Sequence, residues 1–143
     1  MRDHYMMIKM FIGMFLIQYF ISSYIMTNKI ENITSSTSKI YMCIIMGLFM
    51  GFLDILLSPK FEMNLFVFFS VLIILFIYLY RIQFGIDDKN YIQEMVEHHS
   101  MALLTSKNIL EKTKNPAIIN FATNIIVTQE KEIDDMRYLL KSI

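Results

Sequence analysis

The stretch Tyr91-Ile-Gln-Glu-Met95-Val-Glu-His98-His99-Ser-Met101-Ala102, with its echo Gln129-Glu-Lys-Glu132-Ile-Asp-Asp-Met136, decides how the C-terminal part of this chain is read. At about 100° per residue, Tyr91, Met95, His98, Ala102, Thr105 and Ile109 form one helical stripe, widened on one flank by Ile92, Val96, His99, Leu103 and Leu110. Both histidines are therefore expected on the buried side. In the second run Ile118, Phe121, Ala122, Ile125, Ile133, Met136, Leu139 and Leu140 share a face, and Gln129 and Glu132 fall inside it. A carboxylate in the middle of an apolar stripe is costly unless something pairs with it.

Between the runs lies Lys112-Thr-Lys114-Asn115-Pro116. Proline suits the first turn of a new helix and pushes the residue before it out of the α region. The pattern predicts an antiparallel hairpin with helices over 88–113 and 116–141, the first capped by Asp87 or Asp88. Counted outward from the turn, His98 and His99 come level with Gln129 to Glu132, and Met95 with Ile133 to Met136. Two imidazoles, a carboxylate, an amide and two thioethers would then converge. Thioether sulfur favours copper, Cu(I) above all, whereas His98, His99 and Glu132 alone suit zinc or iron equally well.

The bland alternative is that each histidine is a hydrogen-bonded core residue, the commoner fate of a lone histidine on an apolar face. Neighbouring histidines point about 100° apart, so the two would not chelate one ion alike. One binds while the other caps, pairs with Glu132 or serves a partner subunit. Met101 falls on the far side from Ala102 and is no ligand. Glu97, Glu111, Lys112, Glu130, Lys131 and Asp134 read as a solvated face.

The joint pattern Asp88-x-x-Tyr91-x-x-x-Met95-x-x-His98-His99-x-x-Ala102, then Asn115-Pro116 and Gln129-x-x-Glu132-Ile133-x-x-Met136-x-x-Leu139, resembles the DUF305 family. The resemblance covers about 87–143. It implies a ferritin-like helical organisation and, for some members, copper binding. Carried over by residue, it makes Met95, His98, His99, Glu132 and Met136 the ligand positions, with Gln129, Asp88 and Tyr91 in support. Two departures stand out. Glu97 occupies the place where members commonly have proline before the paired histidines, and the hairpin motif occurs once where many members have two copies. A four-helix bundle would then need a second subunit, which makes a homodimer through the hairpin the expected partner.

The remainder is unusually apolar: 55% of the 143 residues are hydrophobic, 18% are charged, and mean hydropathy is +0.47. That favours a small multi-pass membrane protein with one appended module. The formal net charge is zero and no basic block occurs, so the lipid bilayer is an expected partner and nucleic acid is not. Cys43 is the single cysteine, which rules out an intramolecular disulfide. With 13 methionines and no tryptophan, most methionines are read as core or lipid-facing filler.

Three spans are predicted, at about 5–26, 40–57 and 64–82, within a membrane region over 1–82 that precedes the hairpin domain at 83–143. A signal peptide competes for the first. Tyr19 to Tyr24 offers no small-x-small cleavage site, which favours a retained span with Gln18 turned toward another helix. Thr27 to Lys39 reads as an exposed loop containing the sequon Asn32-Ile33-Thr34, a chance match in an Asn-rich chain. The second span carries Gly47 and Gly51, a small-xxx-small pair, and Asp54, whose place near the end could mark a transport role or simply the interface. Tyr78, Tyr80 and Arg81 close the third at a headgroup boundary.

Lysines and arginines on the two sides nearly balance: Arg2, Lys9 and Lys60 oppose Lys29, Lys39, Arg81 and Lys89. An extracytoplasmic hairpin is therefore implied only by resemblance to exported members. No phosphate loop, Cys-x-x-Cys, His-Glu-x-x-His or nucleophile elbow occurs, and the glutamates are too few for a di-iron centre. The expectation is an all-α protein of three transmembrane helices and half a ferritin-like bundle. It would bind and sequester copper without catalysis, its rivals being a structural protein with a buried His/Gln/Glu network and a small transporter component.

Overall fold

The computed structural model describes residues 4–143, with side chains from Tyr5 onward, and those residues form helices and no strand. Arg2, counted above in the charge balance, lies outside them. Helix α1 (His4–Leu16) continues through a π-helical stretch (Ile17–Ser22) into the short α2 (Ser23–Met26); then come a 3-10 turn (Ile30–Asn32), α3 (Thr37–Leu57), α4 (Met63–Arg81), α5 (Asp88–Leu110) and α6 (Pro116–Leu139). Tyr5–Met26, Thr37–Leu57 and Met63–Arg81 are long and apolar enough to cross a membrane. The second begins three residues earlier than the apolar run alone predicts, and α5 and α6 each end short of the predicted 113 and 141. The amides of Lys112 and Thr113 both turn back to the Ile109 carbonyl, which closes α5 before the apolar pattern runs out.

The chain divides into two compact units: the described residues through Ser22 with Thr37–Ile86, and Ser23–Ser36 with Asp87–Ile143.

In the first unit α3 is the central helix, packed against both α1 and α4. Its core gathers Leu48, Ile55, Phe69 and Ile73, with Phe11, Phe52 and Phe66 against them. The close approach depends on glycine. A Cβ on Gly47 would stand 2.8 Å from the Phe11 ring, and one on Gly51 would stand 2.4 Å from the Phe69 ring. The small-xxx-small pair thus serves two different helices, one glycine each. Outward-facing Leu53, Leu56, Val67, Val71 and Ile74 are exposed, as side chains surrounded by lipid would be. After α4 the chain turns through Gln83 (φ 55°) and Gly85 (φ 69°), and Tyr41 donates its hydroxyl to the Phe84 carbonyl at 3.0 Å.

Candidate functional site

The hairpin is built locally at both ends. Asp87 is the N-cap of α5, its carboxylate accepting from the Asn90 amide at 2.8 Å, and that hydrogen bond holds Asp87 below its usual pKa. Asn115 caps α6 in the same way, accepting from the Ala117 amide at 3.0 Å with Pro116 opening the helix. Between the helices Val96, Leu103 and Ile133 form the buried core, with Ile126, Met136 and Leu140 packed on it. Full burial of each such side chain stabilises by about 1.5–3 kcal/mol. Lys107 and Glu130 pair across the seam at 2.8 Å, an exposed contact that contributes under about 1 kcal/mol.

This core corrects the expected face. The stripe centred on Tyr91, Met95 and His98 is not the buried one; burial centres on Val96, Ser100, Leu103 and Ser106, the flank of that stripe and beyond. Tyr91, Phe121 and Leu139 are left exposed.

Rotation of the helix separates the two histidines. His98, expected on the buried side, has 59% of its side chain exposed, with Nε2 3.7 Å from Glu94 Oε1 on its own helix. Pairing with Glu94 raises its pKa above the ordinary histidine value, against the desolvation that lowers it. His99 is 17% exposed, and its Nδ1 lies 3.0 Å from Glu132 Oε2 on α6. That nitrogen is buried, and the contact is close without being aligned as a hydrogen bond. Glu132 Oε2 also accepts from the Gln129 amide at 2.9 Å, so Gln129 does hold the carboxylate.

One groove of about 490 Å³ runs along this side of the hairpin. His99, Glu132, Met95 and Met136 line it together with Asp88, Tyr91 and Ile92. Four of the five expected ligand positions therefore share a cavity, and His98 does not join them. Asp135, which the sequence reading passed over, also lines it; its position four residues before Leu139 on the same helix face was the available signal. Among the described residues no three of His, Cys, Asp and Glu are placed to hold a metal ion by themselves. A bound ion would draw on the thioethers.

The opposite face carries what the sequence reading missed. Glu97, expected on a solvated face, is half-buried. It accepts from the Ser23 hydroxyl and from the Thr34 amide at 3.1 Å. Ser100 Oγ accepts from the Asn28 amide at 2.9 Å and from the Asn32 side-chain amide at 3.0 Å. Arg137 donates to Asn32 Oδ1 at 2.6 Å and pairs with Glu31 at 3.0 Å, which holds Glu31 below its usual pKa. Thr27, Asn32 and Ser36 of the expected exposed loop are thus buried, as is Ser23 near the end of the predicted first span, while Lys29, Ile30, Glu31 and Ser35 stay exposed. The loop's polar residues are hydrogen-bonded to the hairpin, a pairing that periodicity cannot register.

Residues 82–142 match the model of DUF305, a domain of unknown function. The matched segment takes in α5 and α6 with their lead-in and excludes both residues 23–36 and the three apolar helices. A stretch of 69 residues is 46% identical to Uncharacterized protein L153 of Acanthamoeba polyphaga mimivirus, covering 48% of this chain and 45% of that one. This chain therefore matches under half of that relative's length. No solved structure matches the chain.

Proposed function

We propose that the protein is a membrane-anchored metal-binding protein in which three spans hold a DUF305 hairpin whose open groove takes up copper, without catalytic turnover. What carries the reading is the meeting of His99, Glu132, Met95 and Met136 in one cavity, with His99 Nδ1 buried and lacking an aligned hydrogen bond. A buried imidazole nitrogen in that condition loses solvation unless something accepts its lone pair or its proton. The donor set of nitrogen, oxygen and two thioethers fits copper, and the sulfurs favour Cu(I). When bound, the ion would be stored or passed on, with His99 as the central ligand, Gln129 orienting Glu132, and the methionines closing over it.

A second copy of the chain completes the arrangement. The groove is bordered by the exposed apolar side chains Tyr91, Leu139 and Ile143, and one hairpin offers only half the helices of a four-helix bundle. Pairing groove to groove would cover those side chains and supply a second donor set.

The test is competition between the purified full-length protein and a chromophoric Cu(I) chelator. Wild type and His98→Ala should withdraw the ion alike, whereas His99→Ala should lose at least about tenfold in affinity. Equal uptake by all three, or none by wild type, removes the proposal. A second reading is favoured by the Gln129 to Glu132 hydrogen bond: the three polar residues form a network that sets helix register. On that reading His99→Ala loosens the hairpin in metal-free buffer, and added copper brings no change in stability.

A further inference from the structure

We propose that residues 23–36 are the third piece of the hairpin domain, a clasp bound in cis on the face turned away from the groove, and that they fix which face remains open to a partner. The clasp does not depend on copper binding; the groove residues enter only to mark the opposite face.

Helical geometry sets the two faces. On α5, Met95 and His99 of the groove lie roughly 100° or more round the helix from Glu97 and Ser100 of the clasp contact, with Val96 and Leu103 of the core between them. On α6, Glu132 and Met136 stand to Arg137 in the same relation, with Ile133 between. A two-helix layer has two broad faces, and this chain covers one with its own residues.

The cover is specific. The carboxylate of Glu97 and the hydroxyl of Ser100 each take two donors from the segment, Thr34 donates its hydroxyl to the Gln93 carbonyl at 2.7 Å, and Asn32 is engaged at both ends of its amide. Asn32 is 2% exposed. Such polar groups are stable out of water only while paired, so the contact has one register.

Two consequences follow. A second hairpin can add only on the groove side, which stops assembly at two copies. Between Ser36 and Asp87 the chain has only α3 and α4, so both cross the bilayer or neither does, and the clasp and hairpin share one side; with α3 and α4 as spans, 58–62 lies on the other.

Hydrogen exchange on the full-length protein in metal-free buffer tests the clasp. The Asn28 and Thr34 amides should exchange at least about tenfold more slowly than unstructured chain, and the Glu97→Ala, Ser100→Ala double variant should release Thr34, whose acceptor is the Glu97 carboxylate, while α5 and α6 stay protected and Asn28 keeps the Ser100 carbonyl as an acceptor. Exchange of both amides at unstructured rates in wild type overturns the proposal, whatever the variant does. Sidedness is read with a membrane-impermeant maleimide on sealed vesicles, using Lys29→Cys, Tyr138→Cys or Lys60→Cys in a Cys43→Ala background. Positions 29 and 138 should label from the same side and position 60 from the other; labelling of 29 and 138 from opposite sides also overturns it.

Discussion

His98 and His99 are adjacent in the chain and have unlike surroundings, because a single step of about 100° carries one ring to the groove and the other to Glu94. The pairing raises the folded-state pKa of His98. Its contribution to stability is therefore complete below the unfolded value near 6.5 and is lost as pH rises through the raised value. With most of the side chain in water the contribution is under about 0.5 kcal/mol. Proton NMR of the ring should show Glu94→Gln returning the His98 pKa toward the ordinary value; an unmoved titration would mean that the pair is not formed. That Met95, His99, Glu132 and Met136 share a groove was legible from periodicity and from counting outward from a turn near Asn115. The choice between the two histidines was not, since an apolar stripe as wide as Tyr91 to Leu110 admits both. Glu97 was misread for a different reason: its partners Ser23 and Thr34 lie 74 and 63 positions upstream, beyond any helical repeat.

The helices themselves were nearly all legible, because what starts and stops them is local: Asp87 and Asn115 as caps, Pro116 at a first turn, unbroken apolar runs elsewhere. What the sequence withheld was which helix each glycine of α3 meets. Gly51→Ala would drive a methyl into the Phe69 ring, and overpacking of that kind costs about 1–3 kcal/mol. Thermal unfolding in detergent should show a lowered midpoint for Gly51→Ala, partial recovery when Phe69→Leu is added, and no loss for Gly13→Ala, where nothing lies within 4 Å of the added carbon. A midpoint unchanged by Gly51→Ala would contradict the packing of α3 on α4.

At the scale of the whole molecule, the sequence divides at about residue 82, whereas the structure assigns Ser23–Ser36 to the hairpin's unit. Composition places that segment with the spans it joins, and only its long-range hydrogen bonds place it elsewhere. The open groove predicts a pair of chains. Light scattering of the detergent-solubilised protein should give twice the chain mass, falling to a single chain for Leu139→Glu with Ile143→Glu; a wild-type monomer would defeat the pairing. The sequon at Asn32 acquires a definite meaning here. Because its amide is consumed by Ser100 and Arg137, an oligosaccharide could be attached there only to a nascent, still unfolded chain, and once attached would bar that stretch from ever seating. In a compartment that decorates sequons, sugar transfer and completion of the domain would compete for the same side chain.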